Sequence, residues 1–356
     1  MNFNFYLVKS FRILLFPFAL IYWMIITVRN WMYNKGYYRS AVFNMPVICV
    51  GNISAGGTGK SPMVEYLLRL LTPSFKVATV SRGYKRKTKG YVLAGNQTTA
   101  LEIGDEPMQF HLKFPHVPVA VGEERIVAIP QLLHDKPDTQ VIVLDDAFQH
   151  RRVKAGFNIL LTECSNLYTR DWYLPTGDLR DNKSSAARAQ VIIVTKCPPE
   201  MSAEERAKML AELKPLAGQA VYFSTISYGK PYHIENRTET ELSAGSEVLL
   251  VCGIANPKPL KQYIEKHTAT YQERIYGDHH IFTIDDLKEI KDRFTKLENK
   301  QKIILTTEKD AVRLVKFEKE LETIPLYVLP IEHKILFNET EKFNQQVKDF
   351  ITNFNK

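Results

Sequence analysis

The chain has 356 residues, 45% of them hydrophobic and 24% charged, which fits a globular protein with a sizeable core and excludes a disordered or fibrous one. That length holds one large α/β unit or two domains, and two is the expectation. A formal net charge of +8 points to an anionic partner. No Asp or Glu precedes Glu65, while Lys9, Arg12, Arg29, Lys35 and Arg39 bracket an apolar run, so anionic lipid headgroups fit this charge better than nucleic acid does.

The run is ILLFPFALIYWMIITV, sixteen uncharged residues between Arg12 and Arg29. As a helix it covers roughly 24 Å at about 1.5 Å per residue, which is marginal against a hydrocarbon core of about 30 Å. Pro17 is expected to bend it, and Tyr22, Trp23, Trp31 and Tyr33 are residue types that favour the membrane interface. Residues 1–40 are therefore read as a membrane-associated anchor helix that lies in one leaflet. A spanning helix, a buried core helix and a cleaved signal peptide are the alternatives.

From residue 45 onward, strands alternate with helices. MPVICV (45–50) leads into a Gly-rich stretch, after which Met63, Val64, Leu67, Leu68 and Leu71 recur at helical spacing. KVATV (76–80), VPVAV (117–121), QVIVL (140–144), FNILL (157–161) and QVIIV (190–194) read as strands, and 105–113, 123–133 and 202–213 as helices. Near-continuous Val/Ile/Leu strands separated by helices indicate a parallel sheet covered on both faces. The expected domains are thus 41–226 for the first unit, a polar, turn-rich hinge at 227–246, and a second, smaller α/β unit at 247–356. That second unit shows helices near 258–266 and 284–297 and strands KIILTT and PLYVLP. Cys49, Cys164, Cys197 and Cys252 are scattered, with no CxxC pair, and read as reduced.

The chemistry starts at GNISAGGTGKSP (51–62). Backbone N–H groups of such a turn ring a phosphate, and the helix that follows adds the positive end of its dipole. Ser54, Ala55, Gly56, Gly57, Thr58, Gly59, Lys60 and Ser61 form this P-loop, with Lys60 for the β- and γ-phosphates of ATP and the Ser61 hydroxyl for Mg²⁺. Ser54 stands where the general pattern has Gly. In VIVLDDAFQH (141–150), Asp145 and Asp146 follow an apolar strand as metal-binding carboxylates do, although strand-end aspartates also serve as turn caps. Asp105 in EIGDEP is either a helix N-cap or a carboxylate that takes a proton or helps hold the metal. His279 and His280 form a pair in GDHHIF, and Lys309 and Asp310 in TTEKDAV follow a strand, where they either pair structurally or face the cleft. Arg82 and Arg125 also follow strands, near the carboxyl edge where ligands bind.

The ordered set GNISAGGTGKSP, SRGY, IGDEP, DDAFQHRR, LPTGDLRD, GDHH and TTEKDAV resembles the tetraacyldisaccharide 4'-kinase family of the lipid A pathway. The likeness runs from the N-terminal anchor to about residue 312. It implies a P-loop NTPase-like α/β/α kinase domain, a second smaller α/β domain and an anchor on the cytoplasmic face of the inner membrane. The implied activity moves the ATP γ-phosphate onto the 4'-hydroxyl of a tetraacylated glucosamine disaccharide 1-phosphate, giving lipid IVA. An acceptor whose acyl chains stay in the bilayer explains why a phosphate-binding loop follows an anchor. The resemblance further implies Asp105 as base in a dyad with His279, Lys60 and Ser61 on phosphate and Mg²⁺, and Asp145 and Asp146 near the metal. Tyr84, Arg125 and Arg180 are implied at acceptor or phosphate, and closure of the two domains is expected to assemble the site. Ala147 and Asp181 depart from the family's usual Gly and Glu, and the shorter Asp181 side chain weakens any direct metal contact there. A membrane-tethered P-loop ATPase or switch acting on a protein partner is the competing reading.

Overall fold

Strands whose residues all lie inside need an apolar layer on each face, and the sequence of the first domain supplies both. The structure, a computed structural model, describes residues 12–321 and 324–354. Its main sheet holds β1 (Val47–Asn52), β2 (Val77–Ser81), β3 (Val92–Leu93), β4 (Val119–Val121), β5 (Val141–Asp145), β6 (Phe157–Glu163), β7 (Val191–Thr195) and β8 (Ala220–Tyr228). With the late strand β14 (Ile331–Ile335) it is nine-stranded, in the order β14-β8-β7-β6-β1-β5-β2-β4-β3. Neighbours pair in parallel except at the two edges, β3 with β4 and β14 with β8. Side chains alternate across the pleat. Ile48, Val50, Val141 and Val143 therefore enter one core layer with Met63, Val64, Leu67, Leu68 and Leu71 of the helix Lys60–Leu71. Val47, Cys49, Ile142 and Leu144 enter the other, beside Ala128, Ile129 and Leu132 of the helix Arg125–Asp135.

The second sheet has five strands in the order β11-β10-β12-β13-β9, formed by β9 (Tyr232–His233), β10 (Glu247–Cys252), β11 (Thr270–Ile275), β12 (Lys302–Thr307) and β13 (Leu326–Leu329). Its helices Lys258–His267 and Ile284–Thr295 bury Leu260 and Ile264, and Leu287 and Ile290, against it. Sequence alone does not show β11, because TYQERI is half-exposed and carries charge on an edge strand.

The expected boundaries differ from the structure at both ends of the second unit. After β13 the chain recrosses: β14 pairs antiparallel with β8, Ile331 opposite Tyr228 and Ile335 opposite Ser224. The helix Thr340–Thr352 then buries Phe343, Val347 and Ile351 in the first domain's core, and Phe350 stacks on Phe157 at 5.1 Å. Residues 331–354 thus complete the first domain, covering the backbone edge that β8 would otherwise leave open. The stretch expected as hinge contributes β9, whose Tyr232 pairs with Val328, so the second unit is an insertion between β8 and β14.

At the N-terminus, a 3₁₀ turn (Ile13–Leu15) leads into α1 (Phe16–Asn34). Pro17 falls in the first turn, where its missing N–H has no partner to lose, so it starts the helix instead of bending it. Helix extends past Arg29 as well. Ile13–Asn34 forms 22 residues, long and apolar enough by length and composition to cross a membrane. Ile13, Leu14, Phe18, Met24 and Ile25 are exposed on it, while Asn30 is buried against the domain.

Candidate active site

The P-loop sits at the end of β1, the central strand, and several groups fix its path. Gly51 has no side chain because a Cβ there would stand 2.6 Å from Phe148 Cβ, just after the paired aspartates. Asn52 Nδ2 donates to Thr58 Oγ1 at 2.9 Å, Thr195 Oγ1 to Thr58 O at 2.9 Å, and Ala55 N–H to Asp178 O at 2.6 Å. Ser54 forms an isolated bridge with Leu179. Gly59, at φ +88°, turns the chain into the helix that starts at Lys60. Ala55, Gly56 and Gly57 stay exposed at the rim, and Lys60 Nζ lies 3.4 Å from Gly56 O and 3.8 Å from Asp146 Oδ2.

His333, which sequence reasoning did not single out, lies beneath this loop. It comes from β14, and its Nε2 donates to Gly59 O at 2.8 Å while its Nδ1 faces Ser224 Oγ at 3.0 Å. Burial lowers its pKa to about 4, so the ring is neutral, with its proton on Nε2.

Register places Asp145, the last residue of β5, opposite Val50 of β1. Its carboxylate is buried, and Oδ1 has no hydrogen-bond partner. Burial first, then the charges of Asp146 and Glu106, push its pKa up to about 7. Asp146 follows at φ +48° and projects toward Lys60 and Arg180, which outweigh its burial and hold its carboxyl below the usual range. Arg180 grips Asp146 with Nη1 at 3.2 Å and Nη2 closer still, and also bonds Asn52 Oδ1. Arg125 starts its helix buried, donates Nη1 to Glu123 O at 3.1 Å, leaves Nε without a partner, and feels the charges of Asp145 and Asp146. A buried, unpartnered Asp145 oxygen that feels the charges of Lys60 and Arg125 fits a magnesium ion. Among the described residues no three His, Cys, Asp or Glu side chains cluster as a metal cage, so nucleotide oxygens and water would have to complete its shell.

Asp105 lies across the cleft as the first residue of the helix Asp105–Lys113. Gly104 is the N-cap, and the Asp105 side chain makes no capping bond. Its Oδ2 is 2.9 Å from His279 Nδ1, which the second domain supplies from a turn at φ +62°. The Tyr84 ring, exposed, stands 6.4 Å from that imidazole, edge to face. Arg313, just beyond the TTEKDAV stretch, pairs with the same carboxylate. The charge of Glu106 reaches Asp145 and that of Lys309 reaches Lys60, so both halves line one cleft.

The remaining candidates are structural. His280 pairs with Asp286 at 3.0 Å and stacks on Tyr276, and Asp310 accepts the Gly253 N–H and the Thr307 hydroxyl. Lys309 pairs with Glu106 at 3.1 Å. Asp181 is turned away from the loop: it is 1% exposed and accepts from Asn30 Nδ2 at 2.6 Å, Ser185 Oγ at 3.0 Å and Arg188 Nη2 at 2.8 Å.

Residues 11–352 match the family model of the tetraacyldisaccharide-1-P 4'-kinases. Similar curated relatives, each named tetraacyldisaccharide 4'-kinase, include one from Bacteroides thetaiotaomicron, 43% identical and covering 95% of this chain and 92% of its own length. Another, from Flavobacterium johnsoniae, is 44% identical over 96% of this chain and 97% of its own. Among solved structures, LpxK from Aquifex aeolicus in complex with ATP is similar with a TM-score of 0.75 and 26% identity, over 96% of this chain and 99% of that one. With the loop, the paired aspartates and the cleft-spanning Asp105 and His279 in place, the chain belongs to the tetraacyldisaccharide-1-P 4'-kinase family.

Proposed function

We propose that this protein transfers the γ-phosphate of ATP to the 4'-hydroxyl of a tetraacylated glucosamine disaccharide 1-phosphate. The observation that carries this reading is a carboxylate on the acceptor side. Asp105, held by His279 of the second domain, adjoins Glu106, whose charge acts on Asp145 beside the P-loop; a kinase needs such a carboxylate to receive a hydroxyl proton and a simple ATPase does not. Loop N–H groups and Lys60 hold the phosphates, with Asp146 keeping the ammonium in place. Ser61, Asp145 and Asp146 would hold Mg²⁺, which supplies neutralisation of charge on the transferring phosphoryl group. The 4'-oxygen bonds to the γ-phosphorus as its proton passes to an Asp105 oxygen. The bond from phosphorus to the bridging oxygen breaks, and its electron pair leaves on ADP. Arg125 and Arg180 add positive charge on the phosphate side, while Tyr84 offers an aromatic face beside His279 for the acceptor.

Membrane position supports the same substrate. The exposed apolar face of α1 suits an anchor in the cytoplasmic leaflet of the inner membrane. Beside it, a cavity of about 260 Å³ lined by Phe16, Leu20, Trp23, Trp172, Asp171 and Lys183 is apolar enough for an acyl chain. The test follows ³²P from γ-labelled ATP into lipid, using detergent-solubilised protein with and without tetraacyl disaccharide 1-phosphate. Label at the 4' position, lost in Asp105→Ala, is expected. ATP hydrolysis indifferent to lipid would overturn the reading.

A further inference from the structure

The TTEKDAV motif has no part in the transfer chemistry above, yet it builds a contact on the base. The helix Glu308–Leu314 lies along Asp105–Lys113 of the other domain and sends three side chains to it. Glu308 reaches Lys113, Lys309 reaches Glu106, and Arg313 reaches Asp105. The first two pairs are ordinary fasteners. The third meets the carboxylate proposed to accept the proton.

We infer that Arg313 is the positioning residue of the Asp105–His279 pair: it orients the carboxylate and keeps it ionised, and does so only while the second domain is docked. This rests on the kinase reading and extends it. Arg313 is 8% exposed, and its planar fork spans both carboxylate oxygens, Nε at 3.1 Å from Oδ1 and Nη2 on Oδ2. Such two-point contact fixes the plane of a carboxylate, which a single imidazole bond leaves free to rotate. The guanidinium is itself held by its own domain, with Nη1 at 3.4 Å from Asp310 Oδ1 and 3.5 Å from His280 O. Nη2 also lies 2.9 Å from His279 Nδ1, so imidazole and guanidinium converge on one oxygen.

The charged groups around Asp105 are Arg313 and Asp310 from this helix, His279 and Asp278 from the turn, and Glu106 next in the chain. Burial opposes ionisation of Asp105, and Arg313 is the larger of the two influences that overcome it, ahead of His279. Without the guanidinium, burial and the neighbouring carboxylates prevail. Asp105 then stays protonated to higher pH and cannot take the acceptor's proton.

The test is the pH dependence of kcat, from about pH 4 to 9, for lipid phosphorylation by the full-length wild type, Arg313→Gln, Arg313→Lys and Lys309→Ala. Asp105 is held below its ordinary value of 3.8 in the wild type, so Arg313→Gln should move the acidic limb upward by about one to two pH units, into the range of about pH 4 to 6, and lower the plateau kcat about tenfold or more through lost orientation, with KM for ATP within about twofold of wild type. Arg313→Lys should restore the limb, since it keeps the charge, but not the full kcat, since it loses the fork. Lys309→Ala, which loosens the same helix contact without touching Asp105, should keep the wild-type limb. An Arg313→Gln limb coincident with wild type overturns the inference, whatever its kcat. If Arg313→Gln does not fold, as read by thermal unfolding, Arg313→Lys decides: full wild-type kcat overturns the inference, and a reduced kcat on an unmoved limb sustains it. A wild type that transfers no phosphate to lipid would sink the kinase reading instead, a result these variants do not produce.

Discussion

Replacing Asp181 with Ala should unfasten the anchor helix from the kinase domain without touching the metal. Asp181 accepts from Asn30 of α1 at 2.6 Å, from the Asn182 N–H at 2.8 Å, from Ser185 Oγ at 3.0 Å and from Arg188 at 2.8 Å. Arg188 is held by Phe148, whose ring lies 4.3 Å from the guanidinium and whose carbonyl it bonds at 2.9 Å, with its side chain 27% exposed. Three neutral donors losing their acceptor cost about 1 kcal/mol each, and a stranded, largely enclosed guanidinium brings the total to about 3–5 kcal/mol. In a domain of this size each kcal/mol moves Tm by roughly 2–4 °C, so a fall of about 10 °C is expected. Circular dichroism melting in detergent reads it. Asp181→Asn, which keeps an acceptor but loses the charge, should fall between. The Mg²⁺ requirement for turnover should stay at the wild-type value. A variant that melts within about 2 °C of wild type but needs more Mg²⁺ would refute this placement and return Asp181 to the metal.

His333→Leu removes the donor under Gly59 O and should raise KM for ATP about five- to tenfold with little change in KM for lipid, while His333→Gln, which reaches with an Nε2–H, should recover most of it; steady-state kinetics in both substrates decides. Gly59→Ala meets φ +88° and His333 Nε2 at 2.9 Å, so it should cost about 2 kcal/mol or more and lower Tm in the melting assay. Burial, then the Glu65 charge, raises the Glu308 pKa to about 7 against the pull of the paired Lys113 ammonium, so burial outweighs that ion pair and the protonated form favours docking of the second domain. That stability is full below the unfolded pKa near 4.5 and is lost as pH rises through about 7. Limited proteolysis across the 227–246 and 330 crossings should therefore accelerate between pH 5 and 8, and Glu308→Gln should flatten the trend.

Much of this was legible because local signals and tertiary outcome agree. QVIVL and QVIIV are buried strands in any setting, and GGTGKS dictates a strand, loop and helix wherever it occurs. Pro17 misled because its effect depends on position in the helix, which is set by where Phe16 begins it. The strand Ile331–Ile335 was not expected, because nothing local in IEHKI says that the chain returns to β8 after PLYVLP; that is decided by an open edge about 100 residues upstream. His333 and Arg313 were missed for the same reason. Each acts on a partner far away in the chain, Gly59 or Asp105, and only Arg313's place beside TTEKDAV gave any hint.

The second domain hangs from the first by two peptide crossings, one after β8 and one at Pro330 before β14. Two attachment points define an axis, as two pins define the swing of a door. Any rotation of one domain against the other is thereby confined to one angular coordinate, along which His279 and Arg313 meet Asp105 in a single orientation. The second crossing runs straight into the strand that carries His333 under the phosphate loop.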